Sequence, residues 1–237
     1  MTRRSEIVAL LVASIGVMLG GMEWYTRTPL EFRLPPLGLP DKPAMTLVFH
    51  GSVDADNPQF PRLETALASG GKVVRFVRWD PWSDTRLRAA ASAERAGEQV
   101  ADQLLAQLEQ NAHPLDLELI AHSSGAYVLD ALCERLRARA RVPLKIRMVF
   151  VDPFQIHGFL DWTHGARHHG HCADSAYAII NTDDPAPSTN RPLDHAINID
   201  VTHDPRRQGF DQNGHYWALE YLILEGSDSE VTRSAVK

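Results

Sequence analysis

Apolar residues along this chain recur at two spacings, which alternate from about residue 46 to residue 224. Short apolar runs indicate buried strands, whereas apolar positions three and four residues apart indicate helices with one buried face. The strands are predicted at residues 46–49, 72–79, 117–120, 146–151, 177–180 and 196–201. The helices are predicted at residues 62–68, 89–110, from 126 onwards, and at 216–224. Strands that alternate with helices predict an α/β fold, a mostly parallel, doubly wound sheet with helices on both faces.

The N-terminal segment has a different pattern, an apolar run without a polar face. Ile7 to Met22 is uncharged and follows the basic pair Arg3 and Arg4, as in a secretory signal or a signal anchor. The run is short for a bilayer core, which needs roughly 17–25 residues of helix, but Trp24 and Tyr25 could extend it as interfacial anchors. Because the arginines stay in the cytoplasm, we expect the rest of the chain outside it, anchored or secreted, and periplasmic in a bacterium.

Three segments are expected along the chain. Residues 1–25 are predicted to be a signal anchor or signal peptide, either of them an N-terminal hydrophobic helix. Residues 26–44 contain five prolines and are predicted to be an extended linker. Residues 45–237 are predicted to form the globular domain. A buried core helix or a twin-arginine export signal is the alternative for the first segment, and an edge strand within residues 28–34 is a possible addition to the second.

One stretch between a predicted strand and a predicted helix has the pattern of a catalytic turn. Residues 121–125 read Ala-His-Ser-Ser-Gly, a serine with a small residue two positions away on either side. A sharp turn of this kind presents the Ser123 hydroxyl at the carboxyl end of the strand, and the small residues let neighbouring backbone pass close by. We therefore predict that Ser123 is a nucleophile. The alternative is an ordinary turn that Ser123 caps.

The partners of Ser123 are sought after the other strands, because ligands meet the carboxyl ends of parallel strands. A serine hydroxyl needs a base, which in this arrangement comes last in the chain. His215 fits best, because it lies in a turn-rich loop that leads into the final helix. His203, directly after the last predicted strand, is the alternative base, and His195 is interpreted as a bystander.

An acid has to hold the second nitrogen of the base and stabilise its protonated form. Asp152 is predicted for this role, because it directly follows an apolar strand and precedes a proline that fixes the turn. Asp183 or Asp184, after the next strand, is the alternative. The aspartate without a catalytic role is expected to cap a loop.

An oxyanion hole needs two backbone donors aimed at the developing negative charge. The amide of Ser124, at the start of the helix, is the first predicted donor. The second is predicted to be the amide of Ser52, in the turn after His50 and Gly51, where glycine lets the backbone approach the substrate. This chemistry needs neither a metal nor a cofactor, and none is predicted.

The chain resembles the α/β-hydrolase superfamily, and across roughly residues 46–183 it resembles the pancreatic-type lipase family. The matching pieces are Phe49-His-Gly51, Val77-Arg-Trp-Asp80, Arg95-Ala-Gly97, Leu119-Ile-Ala-His-Ser-Ser-Gly-Ala126, Val151-Asp-Pro153 and Ile180-Asn-Thr-Asp183. The resemblance implies a triad of Ser123, Asp152 and a late histidine that hydrolyses acylglycerols or phospholipid acyl esters. The chain departs from the family at Ala121, where the family has glycine. Neither the family's cysteine-bracketed lid nor its C-terminal β-domain is expected.

Composition narrows the classes of function. The chain has 237 residues, a net charge of −6 and a pI of about 6.0, so no basic balance favours nucleic acid as a partner. Its two cysteines, Cys133 and Cys172, can form a disulfide only if the fold brings them together.

A histidine-rich stretch has two interpretations. Residues 163–172 contain four histidines and Cys172, which are ligands that zinc or copper could use. No second ligand cluster has recognisable spacing, so a polar loop near the active site is the preferred interpretation. The apolar residues before it line an acyl pocket or pack under the loop: Phe154, Ile156, Phe159, Leu160 and Trp162.

Together these patterns predict a serine hydrolase that cleaves carboxylic esters of acyl groups or lipids through an acyl-enzyme. The expected partners are a small-molecule or lipid ester and, through the N-terminal segment, the membrane. Two alternatives remain. One is a non-catalytic scaffold of the same fold that binds a lipid or protein partner, and the other is an acyltransferase.

Overall fold

The computed structural model describes residues 3–40, 42–68, 72–111, 113–183 and 189–227 of the chain. Within them the strands are β1 Ala44–Phe49, β2 Val74–Val77, β3 Leu115–His122, β4 Leu144–Val151, β5 Ser175–Ile180 and β6 Ile197–Asp200. The helices are α1 Arg3–Arg27, α2 Gln59–Ala68, α3 Ala89–Gln110, α4 Ala126–Arg139, α5 His164–His168 and α6 Gly214–Ser227. Short 3-10 turns lie at Trp82–Asp84, Arg86–Arg88, Ser123–Gly125 and Pro205–Arg207.

The strands form one sheet in which every neighbouring pair is parallel. Their order is β2-β1-β3-β4-β5-β6, so β3 lies between β1 and β4 in the interior of the sheet. The register pairs Leu119 of β3 with Leu47 of β1 on one side and with Met148 of β4 on the other. The predicted doubly wound parallel sheet is therefore confirmed.

Two helices begin earlier and the two edge strands, β2 and β6, are shorter than the hydrophobic pattern indicated. The Asn57 side chain accepts a hydrogen bond of 2.9 Å from the backbone amide of Gln59 and so caps α2, which begins at Gln59. Asn213 caps α6 in the same way. β2 covers only Val74–Val77 rather than residues 72–79, because this edge strand pairs with β1 alone.

The sheet divides the hydrophobic core into two layers. Apolar side chains of α3 and α4 pack on one face, and those of α2 and α6 pack on the other. The contact between α3 and α4 is close, because a β-carbon at Gly97 would lie 2.4 Å from the Val128 carbonyl oxygen. The helices thus cover both faces and leave the carboxyl edge of the sheet for a ligand.

A disulfide joins α4 to the loop before β5. The sulfur atoms of Cys133 and Cys172 are 2.05 Å apart, and their Cα atoms are 6.1 Å apart. Cys133 is completely buried. The fold therefore brings together the two cysteines whose pairing the sequence left open.

The apolar surface of α1 is exposed. Residues Ile7–Arg27 have a mean hydropathy of 1.9, and none of their apolar window is buried against the domain. By length and composition alone, this is the one helix in the described part of the chain that could cross a membrane.

The proline-rich segment after α1 packs along α3. Three glutamines one turn apart on α3 bond to backbone groups of this segment over 2.7–2.9 Å: Gln99, Gln103 and Gln107. Leu34 and Leu39 of the segment are buried. The segment is attached to the domain, and its residues 28–40 form neither helix nor strand, so the expected edge strand over residues 28–34 is absent.

Candidate active site

β3 ends at a sharp turn into α4, and the partly exposed Ser123 occupies this turn. Its φ of 55° lies in the left-handed region, which strains any residue with a side chain. A β-carbon at Gly51 would lie 2.6 Å from Cβ of Ser123, and one at Gly125 would lie 2.7 Å from the His50 carbonyl oxygen. Glycine is therefore required at both positions, whereas Ala121 is accommodated in the core.

The carboxylate of Asp152, after β4, lies beside the imidazole of His215 at the start of α6. His215 Nδ1 donates to Asp152 Oδ2 over 2.5 Å, and the Asn181 amide donates to Asp152 Oδ1 over 3.0 Å. Burial raises the pKa of Asp152 above its ordinary value, and the hydrogen bond from His215 acts in the opposite direction. Because Nδ1 carries the proton toward Asp152, Nε2 is the nitrogen of His215 that can accept one.

The residues that the sequence offered as alternative acid and base lie in environments different from those of Asp152 and His215. Asp183 Oδ2 accepts from Arg207 Nη1 over 2.7 Å, and this hydrogen bonding lowers the pKa of Asp183. His203 and His195 are exposed, after and before β6 respectively. Asp184 lies outside the described residues. The structure thus joins His215 to Asp152, whereas Asp183 is held by an arginine.

A cavity of about 300 Å³ opens above the Ser123 turn. Three more of the predicted site residues line it: Ser52, Ser124 and His215. The Ser52 and Ser124 hydroxyls are 2.9 Å apart, so the two segments that carry the predicted oxyanion donors meet here. The remaining wall is formed by Val53, Arg86, Ala89, Phe154, Thr189, Asn213 and Tyr216. We call this space the serine cavity.

A second histidine–carboxylate pair, which the sequence analysis missed, lies against His215. His122 Nδ1 and Asp54 Oδ2 are 2.7 Å apart, and both side chains are almost completely buried. The His122 ring packs on the His215 ring with centroids 4.4 Å apart, and its Nε2 lies 3.2 Å from the His215 carbonyl oxygen. Because carboxylate and carbonyl oxygens only accept, the two bonds form together only when His122 carries a proton on each nitrogen.

Asp54 supplies the negative charge for this pair. Burial raises the pKa of Asp54, but the hydrogen bond from His122 and the proximity of His50, whose Nδ1 lies 3.6 Å from Oδ1, outweigh burial and lower it to about 2. Both residues were visible in the sequence, Asp54 shortly after His50 and His122 beside Ser123. Their pairing joins residues 68 positions apart, which a local pattern does not reveal.

The histidine-rich stretch forms α5 and the turns around it. The rings of His157, His164 and His168 stack with centroid distances of 4.6 and 4.2 Å. Burial and then the two neighbouring histidines lower the pKa of His164 to about 4. Among the described residues, no three histidine, cysteine or acidic side chains are arranged to hold a metal ion, and Cys172 belongs to the disulfide.

One histidine of this stretch supports the wall of the serine cavity. His169 is completely buried, with Nδ1 2.5 Å from Asp130 Oδ2 and Nε2 2.9 Å from the Phe154 carbonyl oxygen. Phe154 lines the serine cavity. The stretch therefore lies next to the candidate site, as the preferred interpretation expected, but part of it is the short helix α5 rather than a loop.

No protein-family model matches the chain, and no curated protein sequence is significantly similar to it. A provisionally named cell surface hydrolase from Lactobacillus plantarum WCFS1 has a similar solved structure, with 13% sequence identity and a TM-score of 0.51. The alignment covers 78% of this chain and 91% of that one. A cutinase from Trichoderma reesei, in complex with a phosphonate inhibitor, is 16% identical over 93% of this chain and 89% of that chain. Its TM-score of 0.37 is too low to carry an argument.

Neither structure is a pancreatic-type lipase, so the narrower resemblance receives no specific support from them. The parallel sheet, the covering of both faces by helices and the similarity to the first structure agree on the architecture. The chain has the α/β-hydrolase fold.

Proposed function

We propose that the protein is a serine hydrolase of carboxylic esters, with Ser123 as nucleophile, His215 as base and Asp152 as acid. The observation that carries this proposal is the 2.5 Å hydrogen bond between His215 Nδ1 and Asp152 Oδ2, because His215 lines the same cavity as Ser123. A histidine oriented by a buried carboxylate, next to a strained and accessible serine, is the arrangement that activates a hydroxyl group.

In the first half of the reaction, Ser123 Oγ attacks the ester carbonyl carbon while its proton passes to Nε2 of His215. Asp152 stabilises the resulting imidazolium through Nδ1. The backbone amides of Ser52 and Ser124 are the proposed donors to the oxyanion, since their segments meet at the Ser123 turn. When the carbonyl reforms, the ester C–O bond breaks, and the alcohol leaves with the proton from His215.

In the second half, water replaces the alcohol. His215 takes a proton from water, the resulting hydroxide attacks the acyl-serine, and the proton returns to Ser123 Oγ as the carboxylic acid leaves. If another alcohol takes the place of water, the same steps transfer the acyl group to that alcohol. Product analysis with competing alcohols separates the acyltransferase alternative from hydrolysis.

Labelling with a fluorophosphonate probe tests the nucleophile. The probe phosphonylates an activated serine and remains attached, so we expect the wild-type chain to be labelled and Ser123→Ala to be unlabelled. Ser175→Ala is the matched control, because it makes the same change at an exposed position at the start of β5. Equal labelling of Ser123→Ala and the wild type would contradict the assignment. An unlabelled wild type that turns over no ester would favour the non-catalytic scaffold.

We further infer that α1 anchors the protein in a membrane and that the domain lies outside the cytoplasm. Two observations support this location. The apolar surface of α1 is unburied, and the domain contains the Cys133–Cys172 disulfide, a bond that persists in oxidising compartments and is rare in reducing ones.

A further inference from the structure

A second cavity, of about 220 Å³, adjoins the serine cavity. Its lining is largely apolar and includes Leu87, Ala90, Ile156, Phe159 and Trp162. Arg86 and Phe154 line both cavities, so the two spaces share a wall. We call the second space the apolar cavity. An apolar space next to a proposed nucleophile suits the hydrocarbon part of a substrate whose reacting carbonyl lies at Ser123.

The end of α1 forms part of the apolar cavity. Thr26 lines the cavity and is buried, and its hydroxyl is satisfied within α1 by the Met22 carbonyl oxygen at 2.8 Å. The helix that is long enough to span a membrane is therefore a structural wall of this space. A tether that only holds the domain at a membrane would not need such a contact.

Specific hydrogen bonds hold the cavity loop, residues 154–162, against α1. The Glu23 carboxylate accepts from the amides of Phe159 and Leu160 over 2.7 and 2.9 Å. Arg27 Nη1 lies 2.7 Å from Nδ1 of His157. Gly158 has a φ of 75°, and a β-carbon there would lie 2.6 Å from Oε1 of Glu23. The loop and the helix end are thus fitted to each other.

Large apolar side chains are exposed around the same helix end. Trp24 is 70% exposed, Leu160 60%, Leu87 59% and Trp162 50%. Tryptophan and leucine side chains at the end of a spanning helix partition into the interfacial layer of a bilayer. With α1 in a membrane, the rim of the apolar cavity therefore meets the lipid surface rather than bulk water.

We propose that the apolar cavity binds the acyl chain of the ester, and that this chain enters from the membrane in which α1 is anchored. The substrate class is then a lipid acyl ester resident in that bilayer. This inference rests on the proposed function and deepens it. The acyl chain lies against Ile156 and Trp162 while its carbonyl reaches Ser123, and the loop that Glu23 holds keeps the cavity open toward the lipid.

Chain-length selectivity tests the acyl site. Ile156→Trp fills the cavity and is expected to lower kcat/KM for nitrophenyl decanoate at least about tenfold, while kcat/KM for nitrophenyl acetate stays within about twofold. Ile197→Trp is the matched control, since it makes the same change on β6 at an exposed position outside the cavity lining. Trp162→Ala, at a half-exposed position, is expected to act in the same direction and covers the case in which Ile156→Trp does not fold.

Delivery from the membrane is tested with Glu23→Ala, which removes the two hydrogen bonds from the Phe159 and Leu160 amides of the cavity loop to α1. With full-length protein in phosphatidylcholine vesicles, hydrolysis of an embedded long-chain acylglycerol is expected to fall at least about fivefold. Hydrolysis of soluble nitrophenyl acetate by the same sample should stay within about twofold, because this ester needs no delivery from the bilayer.

The outcomes separate this inference from the proposed function. Equal losses on decanoate and acetate, or no loss on either, would overturn the acyl site. An unchanged vesicle rate in Glu23→Ala would overturn delivery from the membrane. A wild-type chain that hydrolyses neither nitrophenyl ester and resists the fluorophosphonate would instead overturn the proposed function itself, and the inference with it.

Discussion

Two buried carboxylates contact histidines at the candidate site, and their ionisation is affected in opposite directions. Asp152 receives hydrogen bonds from one imidazole and one backbone amide, and burial raises its pKa. Asp54 lies between two histidines, which lower its pKa to about 2. Asp54 is therefore ionised throughout the ordinary pH range, whereas the charge on Asp152 depends more strongly on the proton that His215 shares with it.

Replacement of the proposed acid should affect the chemical step. Asp152→Asn keeps the size of the side chain but favours the wrong tautomer of His215, so we expect kcat on a short-chain ester to fall about 10³- to 10⁴-fold. Asp183 is paired with Arg207 instead of a histidine, so Asp183→Asn should keep kcat within about threefold. Steady-state kinetics on both variants checks this expectation. A larger loss of kcat in Asp183→Asn than in Asp152→Asn would show that Asp183, and not Asp152, is the acid.

Asp54 should contribute to stability in a pH-dependent way. Its folded pKa of about 2 lies below the ordinary value of 3.8, so its ionised form stabilises the fold. That stabilisation is complete above the ordinary value and is lost as the pH falls through about 2. A shift of this size corresponds to about 2 kcal/mol. We therefore expect the free energy of unfolding to fall by about 2 kcal/mol more in the wild type than in Asp54→Asn as the pH is lowered from about 5 to about 2.

Urea unfolding at several pH values provides this measurement. Asp56→Asn is the control, because Asp56 is exposed and should leave the acid dependence of the wild type unchanged. Asp54→Asn is also expected to change the catalytic rate. Asp54 holds His122, and the His122 ring contacts both the ring and the backbone carbonyl of His215. Parallel acid dependences in the wild type and Asp54→Asn would show that the carboxylate is not stabilised by its histidines.

At the scale of elements, the candidate site depends on β3, the turn and α4, and on what packs against them. The loop after β1 presses against the turn through Gly51, and the histidine-rich stretch supports the opposite wall through His169 and Phe154. The disulfide attaches this stretch to α4. The wall of the serine cavity is therefore held by covalent and hydrogen-bonded contacts that come from a later part of the chain.

Loss of the disulfide should reduce stability more than it reduces activity. The bond closes a loop of 39 residues, which corresponds to about 3–4 kcal/mol in the chain-entropy description. We expect the double variant Cys133→Ala, Cys172→Ala to lose about this amount in urea unfolding. Its kcat should change less than about threefold, because His169 still bonds both Asp130 and Phe154. Unchanged stability would show that the bond does not constrain the unfolded chain.

At the scale of the whole molecule, the end of α1 contacts the cavity loop, and the proline-rich segment runs from α1 along α3. The proline-rich segment runs along α3 with buried leucines, so α1 is connected to the domain through a packed segment rather than a free tether. Glu23 then attaches the helix end to the cavity loop. The proposed membrane anchor, connected in this way, would hold the domain close to the membrane surface and limit its rotation.

The proposed membrane anchor is tested by a fractionation experiment. The full-length chain is expected in the membrane fraction, resistant to alkaline carbonate and released by detergent. Leu11→Arg together with Ile15→Arg should abolish this behaviour, because each arginine at the centre of a span adds about 2.5–3.5 kcal/mol. Both positions are exposed on α1 away from the domain, so activity on a soluble ester should be retained. Carbonate extraction of the wild-type chain into the soluble fraction would contradict the anchor.

Local signals in the sequence account for most of the elements. The spacing of apolar residues located the strands and helices within a few residues, and the helix over residues 89–110 was predicted at its observed bounds. The pattern of small residues around Ser123 located the turn, because only small residues let the β1 loop pass. The helix starts at Gln59 and Gly214 were missed, since the hydrophobic pattern does not register an asparagine cap.

What the sequence determined by itself is local: the order of elements, the strained turn at Ser123 and the short set of acids and bases that follow strands. Only the tertiary structure decided which of these residues meet, namely Asp152 with His215, Asp54 with His122, and Cys133 with Cys172. It also decided that α1 contributes a wall to the apolar cavity. The reason is physical, because apolar periodicity reflects burial within one element, whereas hydrogen bonds between elements depend on strand order and loop paths.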